Sequence, residues 1–276
     1  MLKRTASFLA LSLVACGILG TTASPDARAD AMKDGTVIVG PFVRVALEPA
    51  LAKEHCPADM VDVEGDYCPE LAQKCVRWLD SPKKEVRRCA EFAPSGACAT
   101  RTVKKHFCVD RYECPNRAGA TPVVMASWYE AQATCKKSGK RLCGDSEWTL
   151  ACEGQERLPY PYGVKRDSAA CNIDKPHPAV DERALANPKT RAAETKRLWQ
   201  GEASGSRAAC VSAYGAFDMT GNVDEWVVNE SGRPFKSGLK GGYWGPVRDR
   251  CRPMTTAHGE EFSFYQIGFR CCSDAS

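Results

Sequence analysis

The 276-residue chain is short of histidine, with four. His55, His106, His177 and His258 show no H-x3-H spacing, and the cysteines show no C-x2-C. A tetrahedral zinc site of the usual kind therefore has no framework. There is no G-x-S-x-G and no P-loop, so the serine-hydrolase elbow and the phosphate cradle are absent. Charge of one sign is also lacking: the net charge is +4. The runs K-K-E-V-R-R (83–88) and K-R-D (165–167) are short and mixed in sign. They read as solvated faces, and nucleic acid is not an expected partner. Long apolar runs are missing too. The one candidate, residues 5–15, is shorter than the ~20 residues a spanning helix needs. No internal repeat and no Pro/Ser/Gly linker follows Cys56.

What is present begins with a secretory signal: Lys3 and Arg4 ahead of the apolar run. Two cuts compete. Leu13-Val14-Ala15-Cys16 has the form of a bacterial lipobox, in which Cys16 is lipidated; Ala27-Arg28-Ala29 is an A-x-A site. The first predicts an envelope or periplasmic lipoprotein tethered to the membrane by its lipid alone. The second predicts a secreted chain cut after Ala29. Either leaves a net charge of +2. Residues 30–55 read as a lead or tether, with an edge strand at 36–40. The domain runs from 56 to 273.

Sixteen cysteines in an exported chain point to a disulfide framework. Besides Cys16 there are fifteen. An odd number cannot all pair within one chain, so at least one thiol is free, intermolecular or ligand-bearing.

Helix signals are few. Cys68-Pro69 opens a segment with Leu71, Cys75, Trp78 and Leu79 on one face. Ser127-Trp-Tyr-Glu130 is a capping box, and Gly139 closes that helix. Gly144 to Glu147 starts a second helix ending near Gly154. Strands are expected at 61–63, 107–110, 239–244 and 266–271. Residues 155–215 are poorly periodic, with helix only at 184–200. Such a stretch needs a function or a pin, and Cys171 with Cys210 could supply the pin.

Six motifs then occur in order: C-P-A-D-M-V-D-V-E-G (56–65), F-C-V-D-R-Y-E-C-P-N (107–116), the paired-helix segment 127–154, Y-P-Y-G (160–163), Y-G-A-F-D-M-T-G-N-V-D-E-W (214–226), and G-G-Y-W (241–244) with G-F-R-C (268–271). Together they resemble the formylglycine-generating enzymes, or sulfatase-modifying factors. The resemblance implies an α+β variant of the C-type-lectin-like fold, disulfide-rich and low in regular secondary structure. Catalytic members use two cysteines after the G-G-S-(W/Y) turn to bind Cu(I), a soft ion suited to thiolates. Here the turn reads G-G-Y-W-G-P-V-R-D-R-C, with Cys251 alone. Cys251 is either the second catalytic thiol, a weak catalytic candidate, or the family's arginine-flanked structural cysteine, which is preferred. On both assignments the copper pair is incomplete, so copper is not expected.

The resemblance implies the bridges Cys135–Cys271 and Cys152–Cys251, and makes Cys143–Cys272 a reasonable third. The first two would close loops worth about 4–5 kcal/mol each in the chain-entropy model. A reactive pair at Cys271-Cys272 is the rival. The family's calcium positions fall on Asp218, the carbonyls of Gly221 and Val223, and Glu225, with hard oxygen donors suited to Ca²⁺. The alternative is a buried turn whose carboxylates bond backbone amides. Asn172 and Ile173 begin a second, weaker set. Asp224 replaces the family's usual tryptophan. His258, Glu260 and Glu261 lie in a loop that either faces the substrate groove or is simply solvated. The expected function is a non-catalytic binding or assembly module for an envelope protein, peptide or glycan. The alternative is a protein- or peptide-modifying oxidase or maturation enzyme using other residues.

Overall fold

In the computed structural model the described residues are 36–38, 44–46, 55–84 and 87–276. The expected signal segment, with Cys16 and both expected cleavage sites, lies outside them. The chain divides into two units, Met1–Lys53 and Glu54–Ser276. The first contains β1 (Thr36–Ile38) paired antiparallel with β2 (Arg44–Ala46).

The second unit is built on two four-stranded sheets. One has the order β3 (Met60–Tyr67), β6 (Val103–Asp110), β12 (Cys271–Asp274), β7 (Arg141–Leu142). The other runs β10 (Met254–Thr255), β9 (Ser237–Lys240), β8 (Asp224–Val228), β11 (Ile267–Phe269), with β8 and β11 parallel. Two helices pack on them, α1 (Trp128–Lys137) and α2 (Asp145–Glu153). The capping box at α1 is complete: Ser127 accepts from the Glu130 amide, and Glu130 accepts from the Ser127 amide at 2.8 Å. α2 ends at Gly154, whose φ of +64° favours glycine. Val61, Val63, Phe107 and Val109 form one core with Trp148 and Leu150 of α2. Trp128 and Ala131 of α1 meet Trp226, Ile267 and Phe269 in a second.

The helix expected from Cys68 is absent. Its residues form β4 (Cys75–Trp78), paired with β5 (Cys89–Phe92) and stapled by Cys75–Cys89. Cys68 is bonded to Cys98. Two bridges closing short loops override the helical spacing. The strand expected over 239–244 stops at Lys240, where Gly241 and Gly242 turn the chain with φ of +87° and +78°. The strand expected over 266–271 is two strands, interrupted at Arg270 where the chain leaves one sheet for the other. Residues 184–200 hold α3 (Glu182–Ala186) and α4 (Arg191–Leu198), and Cys171–Cys210 ties the stretch.

Candidate functional site

The segment after β9 decides what the site contains. A Cβ on Gly242 would collide with Asp249, so the bare glycine lets the Arg248–Cys251 turn fold onto the strand end. Asp249 is fully buried against the Arg166 guanidinium. Cys251 is bonded to Cys152 at the end of α2, with S–S 2.02 Å, and both are buried. No thiol of this turn faces solvent or a cavity. The adjacent cysteines 271 and 272 point to opposite faces of β12, as strand neighbours must, and reach Cys135 and Cys143 respectively. Cys56–Cys108 completes seven bridges, and the unpaired cysteine among the described residues is Cys114. Burial pushes its thiol up to about 11, so it stays protonated at neutral pH.

Beside this turn opens a cleft of about 770 Å³. Asp224, at the start of β8, reaches it from below and is 5% exposed. Burial raises its carboxyl to about 6. It accepts one long hydrogen bond, from the Gly242 amide at 3.3 Å, and lies 3.7 Å from an Arg248 nitrogen. Gln266, which precedes β11, also lines the cleft, and its Oε1 is buried without a partner; so is Nε of Arg248. Tyr243 supplies a further wall, and Leu185, Leu239, Phe264 and Ile267 make the rest largely apolar. His258 and Glu261 line the mouth. His258 stacks on Phe262 at 4.0 Å, and burial lowers its pKa, so it is neutral near pH 7. Glu260 accepts from the Lys236 amide instead.

Asp218 and Glu225 fall in a second, buried cluster. Glu225 takes Arg270 with both oxygens, at 2.6 and 2.7 Å, and Trp148 donates to one of them at 2.7 Å. Asp218 accepts from the Gly205 amide. Glu113 joins them, accepting from Ser204, Asn222 and the Val223 amide. Burial and the neighbouring carboxylates raise Glu113 well above its ordinary range, and burial foremost raises Asp218 to about 6. Three carboxylates thus share one guanidinium, a charge balance that suits an added proton or a hard cation. Among the described residues no three His, Cys, Asp or Glu side chains are arranged to hold a metal. Any hard cation here would have to draw on backbone carbonyls. Asn172 stands nearby: its backbone carbonyl accepts from the Asn222 amide, and its side-chain Oδ1 is buried without a partner.

Sequence reasoning flagged Asp224 as a departure but not as a site residue, and it missed Glu113, Tyr243, Arg248 and Gln266. The substitution at 224 was the available signal. The others come from separate segments that only folding brings together.

Fold and site together define an α+β, disulfide-stapled domain of the formylglycine-generating type, with its cleft at the closing turn. The family model for the Sulfatase-modifying factor enzyme 1-like domain matches residues 74–275, and the chain belongs to that family. It is 30% identical over 164 residues to Inactive C-alpha-formylglycine-generating enzyme 2 of Bos taurus, covering 56% of this chain and 50% of that one. It is 27% identical over 187 residues to Formylglycine-generating enzyme of Bos taurus, covering 55% and 44%. The chain thus spans about half the length of these curated relatives. The crystal structure of CarF superposes with a TM-score of 0.50 at 16% identity, over 80% of this chain and 99% of that one, a likeness of fold.

Proposed function

We propose that this chain is an exported, non-catalytic binding or assembly module of its family, whose cleft holds an envelope protein, peptide or glycan. The observation that carries the reading is Cys251: it is buried in a disulfide with Cys152 and does not line the cleft. The cleft beside it is lined by carboxylate, guanidinium, phenol and imidazole. A two-thiolate copper site lacks its donors there. A relative named as inactive lies in the same direction. Seven disulfides suit an oxidising, extracellular-type compartment. Among the described residues no helix is long and apolar enough to cross a membrane. The anchor in this reading is a lipid on Cys16; a Cys16→Ala chain should lose it, and unchanged processing would assign the cut to Ala29.

Calcium belongs to the same proposal. Asp218 and the carbonyls of Gly221 and Val223 would hold the ion, with Glu225 adding charge while it stays paired to Arg270. Asn172 and Ile173 are the second set, supported by the unpartnered Asn172 Oδ1. A bound calcium would cross-link loops that carry little regular structure.

The test is a Cu(I) titration of the purified chain followed by assay on a Cys-x-Pro-x-Arg peptide. Neither tight two-thiolate binding nor aldehyde formation is expected. Aldehyde formation would overturn the reading in favour of a modifying enzyme.

A further inference from the structure

Buried polar groups without partners are uncommon, and each asks for an explanation. Two of those in this chain, Nε of Arg248 and Oε1 of Gln266, belong to residues that line the same cleft. Asp224 lines the cleft with them, a carboxylate that its contacts leave unsaturated: the Gly242 amide is at 3.3 Å and the Arg248 guanidinium at 3.7 Å. The floor thus offers two acceptors, the Asp224 carboxylate and Gln266 Oε1, beside a cationic donor, Arg248. The backbone ties two of the three together, because the Asp224 amide donates to the Gln266 carbonyl at 2.9 Å, and the Arg248 guanidinium is held by the Leu239 carbonyl at 3.1 Å.

A ligand complementary to this floor carries a positive donor and a negative acceptor side by side. We infer that the cleft recognises a zwitterionic α-amino-acid head group, its ammonium on Asp224 and Gln266 Oε1 and its carboxylate on Arg248. The inference rests on the binding-module reading and names what that module binds. A lone cation would leave Arg248 unpaired; a lone anion would face Asp224. The zwitterion satisfies both and removes two unpaired buried groups at once. The apolar wall of Leu185, Phe264 and Ile267 then suits an apolar side chain on the bound amino acid. The head group has two sources, a free amino acid or the unblocked end of a peptide side chain, and they share this chemistry.

The expectation is tested by isothermal titration calorimetry of the full exported chain. The probes are L-phenylalanine, N-acetyl-phenylalanine, phenylalaninamide, the doubly blocked compound, and γ-glutamyl-phenylalanine, which carries the same head group at the end of a peptide. The unblocked head group should bind, and blocking either end should weaken it at least tenfold. Preference for phenylalanine assigns a free amino acid; preference for the γ-glutamyl compound assigns a peptide-borne head group. Asp224→Asn should remove the advantage of a free ammonium, and Arg248→Gln should remove the advantage of a free carboxylate; the second variant decides the matter if the first does not fold. Equal binding of the doubly blocked compound, or no binding of either head-group probe at millimolar concentration, overturns the inference. Cleft binding of end-blocked peptides would leave the binding-module reading intact, whereas aldehyde formation would strike that reading itself.

Discussion

Asp224 shows what a single residue in the cleft costs. Its carboxyl is raised from 3.8 to about 6, chiefly by burial. For an acid raised in the folded state, the stabilising contribution is complete below pH 3.8 and is lost as pH rises through 6. Asp224→Asn should therefore gain stability at pH 8, by about 3 kcal/mol at most, and gain little at pH 3.5. Chemical denaturation at the two pH values measures the difference; an equal change at both would mean the acid is not strained. Arg270 is the opposite case. It is fully buried, pairs with Glu225, and donates to the Phe217 carbonyl at 2.8 Å. Arg270→Met would leave a buried carboxylate without its counter-ion and should cost about 3–5 kcal/mol in the same assay.

At the scale of elements, α1 formed where its capping box was written, and Ser127→Ala should cost about 1 kcal/mol of unfolding free energy. A loss of less than a few tenths would show that packing of Trp128 and Ala131, not the cap, fixes the helix start. The segment at 68–79 went the other way. Its apolar spacing fits a helix, yet Val76, Trp78 and Leu79 are exposed on or beside an irregular strand. Periodicity reports a face only when that face meets a core; here the hairpin is held by its disulfides and by a small cluster of Cys89 and Phe92 with Tyr160, which residues 76–79 do not join. The break at Arg270 follows from a similar conflict. Residues 266–271 are one β-prone run, but the guanidinium must reach Glu225, and the chain changes sheets to place it.

For the whole molecule, covalent closure replaces much of a regular core. The Cys135–Cys271, Cys143–Cys272 and Cys152–Cys251 bridges span 136, 129 and 99 residues. Removing the last as a Cys152→Ser, Cys251→Ser pair should cost about 4–5 kcal/mol in the chain-entropy model. Thiol titration of residues 54–276 under denaturing, non-reducing conditions should find one thiol, Cys114; three or more would contradict the pairing. Calcium should raise the unfolding midpoint, more at pH 7.5 than at pH 5, because Asp218, with a pKa of about 6, is mostly protonated at the lower value. A midpoint indifferent to both calcium and EDTA would remove the ion and leave the cluster balanced by protons and Arg270.

The amino-acid sequence by itself carried the family, the α+β disulfide-rich character and the two paired helices. Each of these is a matter of residue type at short or ordered spacing, which survives any detail of packing. Tertiary structure alone decided that Cys114 is the unpaired thiol among the described residues and that Asp224, Arg248 and Gln266 line one cleft. Those facts depend on how segments up to 136 residues apart are closed against one another. Burial then sets the charge of what they bring together, and no local pattern encodes burial.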